Sequence, residues 1–306
     1  MAVVDWSVLI PPLSALLGAP FLLAVINRTK AFVAGRRGQP LLQPYYNLAK
    51  LLRKGATYSR TTTWVFRAGP VVSLAATVSV VLLTPLGGWA SPIGFAGDLV
   101  LWASLLCLAR FATVLSALDT GSSFEGMGAS REVLFSALAE PALVLGLVVL
   151  ARLAGPWSLS QLLGAVSADA WRREGPALAL VALAFGIVLL TENARIPVDD
   201  PMTHLELTMI HEVMILDHSG PDFAFLQYGA ALKLWVFGAL LVGLVLPVRG
   251  GHWSANLATQ LLGMIALAVA IGIVESCMAR LRLLRVPKLL VGATALAILA
   301  LVLVLA

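Results

Sequence analysis

Charged residues are scarce in this chain. They make up 12% of its 306 residues, whereas a soluble domain carries roughly a quarter. Hydrophobic residues reach 59%, and the mean hydropathy is +0.93. This composition excludes an ordinary soluble domain and predicts that the chain is dissolved in a lipid bilayer. Because apolar stretches recur along the whole sequence, we interpret residues 1–306 as a single transmembrane domain.

Cysteine and histidine are also rare. The two cysteines, Cys107 and Cys277, fall inside apolar stretches, and an iron–sulfur cluster needs about four thiolates. The four histidines lie in or beside connecting segments, so a haem ligand at membrane depth is missing. We therefore expect no catalytic residue, metal or cofactor in this chain. We expect both cysteines to be small buried residues, although the sequence leaves a disulfide between them open.

Long apolar runs are plentiful, and each is close to the 18 or so residues that cross a bilayer as a helix. The sequence thus predicts an all-α integral membrane protein with about eight transmembrane helices. Residues 1–6 lack the basic residues of a secretory signal, so we expect the first helix to remain. We expect kinks at Pro11, Pro12 and Pro141. The predicted spans are Val4–Ile26, Ala68–Leu86, Phe95–Leu118, Glu132–Leu153, Pro176–Leu190, Phe223–Leu246, Ala255–Met278 and Val286–Leu305.

Basic residues are distributed unevenly between the two predicted faces of the membrane. Lysine and arginine concentrate in cytoplasmic connections, so the richer face is expected to be cytoplasmic and both termini to lie outside. The other face has four basic residues, which are Arg152, Arg172, Arg173 and Arg249. The richer face has fifteen, which are Arg28, Lys30, Arg36, Arg37, Lys50, Arg53, Lys54, Arg60, Arg67, Arg131, Arg195, Arg280, Arg282, Arg285 and Lys288.

The first connection has a helical pattern over about residues 41–54. Leu41, Leu42, Tyr45, Leu48, Ala49 and Leu52 would form one face, with Gln43, Asn47, Lys50 and Lys54 on the other. Such a pattern is typical of an amphipathic helix that lies along the cytoplasmic membrane interface. This helix could support a bound partner. Alternatively, the basic residues around it could serve only to set the orientation of the chain in the membrane.

Charged residues within the predicted spans include Arg110, Glu140, Lys233 and Glu275, and such a residue costs at least about 2.5 kcal/mol to insert at the bilayer centre. Glu140 and Lys233 lie deep in their spans, so they are candidates for a proton relay or for a salt bridge between helices. Arg110 and Glu275 lie nearer the span ends, where a long side chain reaches the membrane surface at little cost. We interpret these two as structural.

The fifth connection, about residues 191–222, is acidic although the other connections on its face are basic. Clustered carboxylates raise one another's pKa, which permits proton exchange near neutral pH. Asp199 and Asp200 are also suited to capping a helix, and Thr203 with Glu206 matches the capping-box spacing. The acidic residues of this connection are Glu192, Asp199, Asp200, Glu206, Glu212, Asp217 and Asp222, against the single basic residue Arg195.

The histidines of this connection, His204, His211 and His218, recur every seven residues. On a helix they would share one side about 10.5 Å apart, too far to bind one metal. His211-Glu212 lacks the second histidine of a zinc-protease motif. We expect ordinary polar contacts for these residues.

The motif Glu192-x-x-Arg195-x-Pro197-x-Asp199-x-Pro201, followed by Glu206, resembles the signature loop of NADH dehydrogenase subunit 1, the complex I subunit that forms the quinone tunnel. The full segment from Arg195 to Gly220 resembles more closely the membrane subunits of group 4 energy-converting [NiFe]-hydrogenases, including those of formate hydrogenlyase and hydrogenase-4. The segments 35–45 and 125–132, and Ala139-Glu140-Pro141, are similar to the same group.

This resemblance implies a membrane anchor for hydrogenase large and small subunits, whose iron–sulfur clusters and NiFe centre lie outside this chain. It implies antiporter-like membrane subunits as further partners, the inner membrane of a prokaryotic cell as the location, and no nucleic-acid partner. From the resemblance and the residue patterns together, we predict that the docking face or the quinone-type cavity is lined by Arg36, Arg37, Arg131, Arg195, His204 and His211. The predicted proton-coupling residues are Glu140, Glu192, Asp199, Asp200, Glu206, Glu212 and Lys233, and the resemblance begins the route at Glu140 and Glu192.

Two other hypotheses remain. The chain could be the quinone-site subunit of a complex I-type NADH dehydrogenase, although His204 stands where that branch often has an acidic residue. It could also be a secondary transporter that acts alone. Such transporters often consist of two related halves, and we find no internal repeat here.

Overall fold

Eight long helices dominate the part of the chain that the computed structural model describes, residues 6–86, 88–155, 157–200, 209–247 and 253–305. Each is long and apolar enough to cross a membrane, which confirms the predicted fold class. No strand is present in these ranges. The eight are α1 (Ile10–Val33), α3 (Trp64–Leu83), α4 (Asp98–Asp119), α5 (Ser123–Ala154), α7 (Ala168–Glu192), α9 (Gly220–Val245), α10 (Trp253–Cys277) and α11 (Val286–Leu305).

Shorter elements join the long helices. The helices α2 (Gln43–Leu52), α6 (Leu159–Ala165) and α8 (His211–Met214) lie in connections. Two 3₁₀ turns, Trp6–Leu9 and Leu283–Arg285, precede α1 and α11.

Several helix boundaries differ from the sequence prediction. The first helix runs from Ile10 to Val33, so Pro11 and Pro12 lie in its first turn and do not kink its interior. Proline fits the first turn because the N–H that it lacks has no partner there. The fourth span begins nine residues earlier than predicted, at Ser123. Hydropathy marks only the apolar part of a helix, and the polar first turns of this one were missed. Helix α7 begins at Ala168, but its backbone leaves the helical conformation at Glu174, so the part that follows this break begins close to the predicted Pro176.

Helix α9 lies at the centre of the bundle. Buried residues make up 72% of its most apolar stretch, compared with 22% for the last span. It packs against α1, α3, α7 and α10, while α11 packs on α5 and α7 at the periphery. Side chains of α9 therefore face protein on most sides.

Hydrogen bonds tie alternate connections together at the two ends of the bundle. At one end, which we call the basic end, Thr57 N–H donates to Ser219 Oγ at 2.9 Å, and Leu281 N–H donates to Pro197 O at 2.9 Å. At the other end, Ser158 Oγ donates to Asp98 Oδ2 at 2.8 Å. Among the described residues, the basic end consists of connections 34–63, 120–122, 193–200 with 209–219, and 278–285, as the predicted alternation of spans requires.

Helix α2 forms within the predicted segment 41–54 and packs against α1 and α9. The hydroxyl of Tyr45 donates to the carbonyl of Leu17 on α1. Tyr45 and Leu48 are partly buried, whereas Leu42 and Leu52 of the predicted apolar face are exposed. The location of α2 at a membrane interface stays a prediction.

The predicted helix carrying three histidines is wrong for the residues described. Residues 209–219 contain only the four-residue α8. The two described histidines lie in different surroundings. His211 is the first residue of α8, whereas His218 lies after α8 with its ring stacked on the ring of Phe66. His204, Glu206 and the predicted Thr203–Glu206 capping box lie outside the described residues.

Candidate functional site

Four charged side chains from four helices meet inside the bundle. Arg110 of α4 approaches Glu140 of α5, with 2.6 Å between Nη1 and Oε1. Its other terminal nitrogen, Nη2, lies 2.8 Å from each carboxylate oxygen of Glu192, the last residue of α7. Lys233 of α9 completes the row, with Nζ 2.7 Å from Glu192 Oε2.

Arg110 occupies the centre of this row. Its side chain is 11% exposed and lies between two carboxylates. Arg110 therefore does not extend to the membrane surface, and its structural interpretation stays a prediction. The physical reason is that Glu192 and Glu140 satisfy the guanidinium inside the protein, so it has no need of water.

A cavity of about 60 Å³ adjoins the row. It has room for at least about two water molecules. Its lining combines the charged groups Arg110, Glu192 and Lys233 with a further buried carboxylate, Glu132 of α5. Three hydroxyl residues, Ser73, Thr77 and Thr113, also line it, as do Asn193 and His211.

Glu132 is a site residue that the sequence analysis missed. The predicted span began at Glu132, which placed its carboxylate at the membrane edge. The observed helix begins nine residues earlier, so Glu132 lies about 13 Å further along α5 than its first residue. A signal for the earlier start was present, because Ser122-x-x-Glu125 has the capping-box spacing and Ser122 is the N-cap residue.

A second cavity, of about 370 Å³, lies between α1, α2, α9 and the fifth connection. Four predicted site residues line it: Arg195, Asp199, His211 and Glu212. His211 lines both cavities, as do Asn193 and Ala230, so it stands at the boundary between them. Burial lowers the pKa of its imidazole, and Nε2 has no hydrogen-bond partner among the described residues. A neutral His211 thus separates the larger cavity from the charged row.

Asp199 and Arg195 anchor the fifth connection. Asp199 is 1% exposed, its Oδ1 lies 2.9 Å from Arg280 Nη2, and its Oδ2 accepts the N–H of Ile210 at 3.0 Å. Arg195 Nη1 lies 3.3 Å from Glu275 Oε1, and Lys30 Nζ lies 2.8 Å from the other oxygen of Glu275. These pairs fasten the connection to the ends of α1 and α10.

The remaining predicted residues lie around this centre. Arg131 donates from Nη1 to the carbonyl of Met209 at 2.9 Å. Asp200 is partly buried, and its N–H donates to Asp199 Oδ1. Arg36 and Arg37 are exposed after α1 and line neither cavity.

Comparison with known proteins places this chain in a family. The family model for NADH dehydrogenase matches residues 7–306. The chain belongs to the NADH dehydrogenase family.

Three known proteins are similar to this NADH dehydrogenase family member over most of its chain. Formate hydrogenlyase subunit 4 of Escherichia coli is 33% identical over 293 residues, which cover 92% of this chain and 94% of that protein. Hydrogenase-4 component C of the same organism is 32% identical, covering 87% and 84%. An NADH-quinone oxidoreductase subunit of Rubrobacter xylanophilus is 26% identical, covering 73% and 65%.

The fold of this NADH dehydrogenase family member is also found in a solved structure. A chain of the membrane-bound sulfane sulfur reductase, an archaeal respiratory membrane complex, has a TM-score of 0.83. The two chains are 22% identical, and the match covers 97% of this chain and 98% of the other. This likeness shows that they share a fold.

The described part of this family member contains no group of three or more histidine, cysteine or acidic side chains arranged to hold a metal. Cys107 and Cys277 are unpaired, and both are exposed on the outside of the bundle. The prediction that they are buried is wrong. Apolar stretches in a membrane protein supply outward faces as well as the core, since lipid accepts both.

Proposed function

We propose that this chain is the membrane anchor and proton-coupling subunit of a membrane-bound [NiFe]-hydrogenase complex of the formate hydrogenlyase type. Its similarity to formate hydrogenlyase subunit 4 and hydrogenase-4 component C supports this, since both matches extend over most of the chain. In this proposal the chain is non-catalytic. The hydrogenase large and small subunits dock on its basic end and carry the iron–sulfur clusters and the NiFe centre.

The observation that carries the proton-coupling proposal is the row of alternating charges together with the buried carboxylate beside it. The row contains Glu140, Arg110, Glu192 and Lys233, and Glu132 lines the adjoining cavity, so the cluster has three carboxylates and two cations. A net negative charge in a poorly solvated site is costly. The cluster is therefore expected to bind one proton and to become neutral.

The proton moves among the carboxylates, because a guanidinium keeps its protons throughout the accessible pH range. When Glu192 takes the proton, its attraction for Lys233 and Arg110 is lost. Arg110 then pairs with Glu140 alone, and Lys233 turns toward Glu132. Passage of the proton to Glu140 through water in the neighbouring cavities leaves Glu192 ionised again, and release of the proton from Glu140 restores the starting state.

Glu140 forms the outlet of this route. Its side chain is 47% exposed although it lies within α5, and it lines a cavity of about 230 Å³ together with Cys107 and Arg110. An ionised carboxylate facing hydrocarbon costs several kcal/mol. We expect an antiporter-like membrane subunit to cover Glu140 and receive its proton.

Substitution of Glu192 or Glu140 by glutamine tests the route. The amide keeps the size of the side chain but cannot carry the proton, so we expect Glu192→Gln and Glu140→Gln each to lower proton-coupled turnover at least about tenfold. The measurement is proton movement into membrane vesicles, divided by the amount of assembled complex. Asp169→Asn is the matched control, because Asp169 is exposed at the opposite end and pairs with the equally exposed Arg172. Unchanged proton movement in both glutamine variants, with the complex assembled, would refute the proposed coupling role.

The quinone-site subunit of a complex I-type NADH dehydrogenase is the second candidate. The cavity of about 370 Å³ and the similarity to the NADH-quinone oxidoreductase subunit of Rubrobacter xylanophilus favour it. Purification of the complex through a tag on this chain separates the two candidates. A nickel-containing partner supports the hydrogenase, and bound quinone with a nickel-free partner supports the dehydrogenase.

A further inference from the structure

A line of buried hydroxyl groups runs along the contact between α3 and α4. It consists of Ser73 and Thr77 on α3 and of Thr113 and Ser116 on α4, each at most 9% exposed. The two helices approach closely at Gly69, where a Cβ atom would lie 2.6 Å from Cβ of Ser116. Small residues explain the close approach, and the hydroxyl groups give the contact a polar interior. We call these four residues the hydroxyl seam.

The outer part of the hydroxyl seam ends at His218, near the basic end. Nε2 of His218 lies 3.0 Å from Ser116 Oγ, and Ser116 Oγ donates its single proton to the carbonyl of Phe66 at 3.1 Å. His218 Nε2 must therefore carry the proton in its contact with Ser116. Nδ1 is then a bare acceptor nitrogen, and it is buried without a hydrogen-bond partner among the described residues. The next residue outward, Asp217, is exposed.

The inner part of the hydroxyl seam opens into the small cavity that adjoins the charged row. Thr113 Oγ1 lies 3.2 Å from Ser73 Oγ and 3.1 Å from the carbonyl of Ala109, so its single proton can be given to either. Ser73, Thr77 and Thr113 line the 60 Å³ cavity that Glu132 also lines. Ser116 and Thr113 are one turn apart on α4, a rise of about 4.5 Å. Rotation of the Ser116 hydroxyl and one intervening water molecule span such a distance.

Residues of α3 and α4 do not line the larger cavity in the part of the chain that is described. That cavity reaches the charged row from the side of α1 and α2, whereas the seam reaches it from the side of α3 and α4. The two approaches are therefore physically separate.

We propose that the hydroxyl seam is a proton inlet that leads from His218 to Glu132. The proposal rests on the proton-coupling function proposed above. His218 Nδ1 accepts a proton while Nε2–H passes to Ser116 Oγ. The original Ser116 proton moves on through water to Thr113, Ser73 and the cavity, where Glu132 accepts it. Rotation of the His218 side chain then turns its protonated nitrogen back toward Ser116, which resets the ring, and no charge remains in the seam.

Paired substitutions at Thr113 test the inlet in the complete complex, purified through this chain and reconstituted into vesicles. Thr113→Val keeps the shape of the side chain and removes the hydroxyl, whereas Thr113→Ser keeps the hydroxyl and removes the methyl group. His218→Phe keeps an aromatic ring against Phe66 and removes both nitrogens. Ser79→Ala is the control, because Ser79 is an exposed hydroxyl on α3 that bonds within its own helix.

We expect Thr113→Val and His218→Phe to slow proton movement by about threefold or more. The loss is smaller than the roughly 10²-fold effect of removing a proton-transfer group that has no substitute, since the other cavity still admits protons. Thr113→Ser and Ser79→Ala should match the wild-type rate, and the thermal midpoint of Thr113→Val should match that of Thr113→Ser.

Two outcomes would overturn the inlet. In the first, Thr113→Val and His218→Phe move protons at the wild-type rate while Glu192→Gln does not, which removes the inlet and leaves the proposed function intact. In the second, the rate of proton movement falls in parallel with the thermal midpoint in every variant, which would show that the hydroxyl seam serves helix packing alone. A separate result would contradict the proposed function itself, namely that Glu192→Gln and Glu140→Gln leave proton movement unchanged.

Discussion

Burial determines the protonation state of His218. Its imidazole stacks on Phe66 with the ring centroids 4.0 Å apart, and burial lowers its pKa from 6.5 to about 4. In the unfolded chain the imidazole has its ordinary pKa and binds a proton as the pH falls below about 6.5. The folded protein excludes that proton, so acid favours the unfolded state.

Stability should therefore depend on pH through this residue. The contribution of neutral His218 to the free energy of unfolding is fully present above pH 6.5. It is lost progressively as the pH falls from 6.5 to about 4 and changes little below that. His218→Phe should lack this component, which thermal unfolding of the purified protein in detergent at a series of pH values will measure. Equal slopes for wild type and variant over that range would contradict the assignment.

At the scale of a single helix, α5 shows where hydropathy stops being informative. Its first nine residues include Glu125 and Arg131, so a window of apolar residues starts only after them. These residues are helical because they pack on protein. Gly128 lies so close to α8 that a Cβ atom would be 2.3 Å from Val213 Cγ1 and 2.9 Å from the carbonyl of Ile210. The extended α5 thus supports the segment that carries His211.

Two glycines of α5 provide a matched test of this packing. Gly128→Ala should destabilise the protein by about 1 to 3 kcal/mol, because overpacking moves α8 away. Gly126 has nothing within 4 Å of the position that a Cβ would take. Gly126→Ala should therefore be neutral or stabilise α5 by up to about 1 kcal/mol. The readout is the thermal midpoint of each variant, and equal midpoints would show that α5 and α8 are not in contact.

At the scale of the whole molecule, charge is divided between the two ends of the bundle. The basic end gathers four connections that are joined by hydrogen bonds, and most lysine and arginine residues lie there. Because basic connections are retained in the cytoplasm, this end should face the cytoplasm in a prokaryotic inner membrane. We predict that both termini lie on the outer side.

Labelling of single cysteines tests this orientation. In a background carrying Cys107→Ser and Cys277→Ser, Ser59→Cys places a thiol at the basic end and Ala165→Cys places one at the opposite end, both at exposed positions. A maleimide that does not cross membranes should label Ala165→Cys in intact cells, and Ser59→Cys only after the cells are opened. The reverse pattern would place the basic end outside.

The sequence by itself determined the number of spans, their alternation and the family motif. Hydropathy over some 18 residues and a motif such as that from Glu192 to Pro201 are local properties, readable without neighbours. Only the tertiary structure decided the composition of the site. Arg110 and Glu192 are 82 residues apart along the chain, and Glu132 became a cavity residue only because α5 extends past the apolar window. Ion pairs between helices depend on which side of each helix points into the bundle. Hydropathy does not predict this side, because lipid and the protein interior are both apolar.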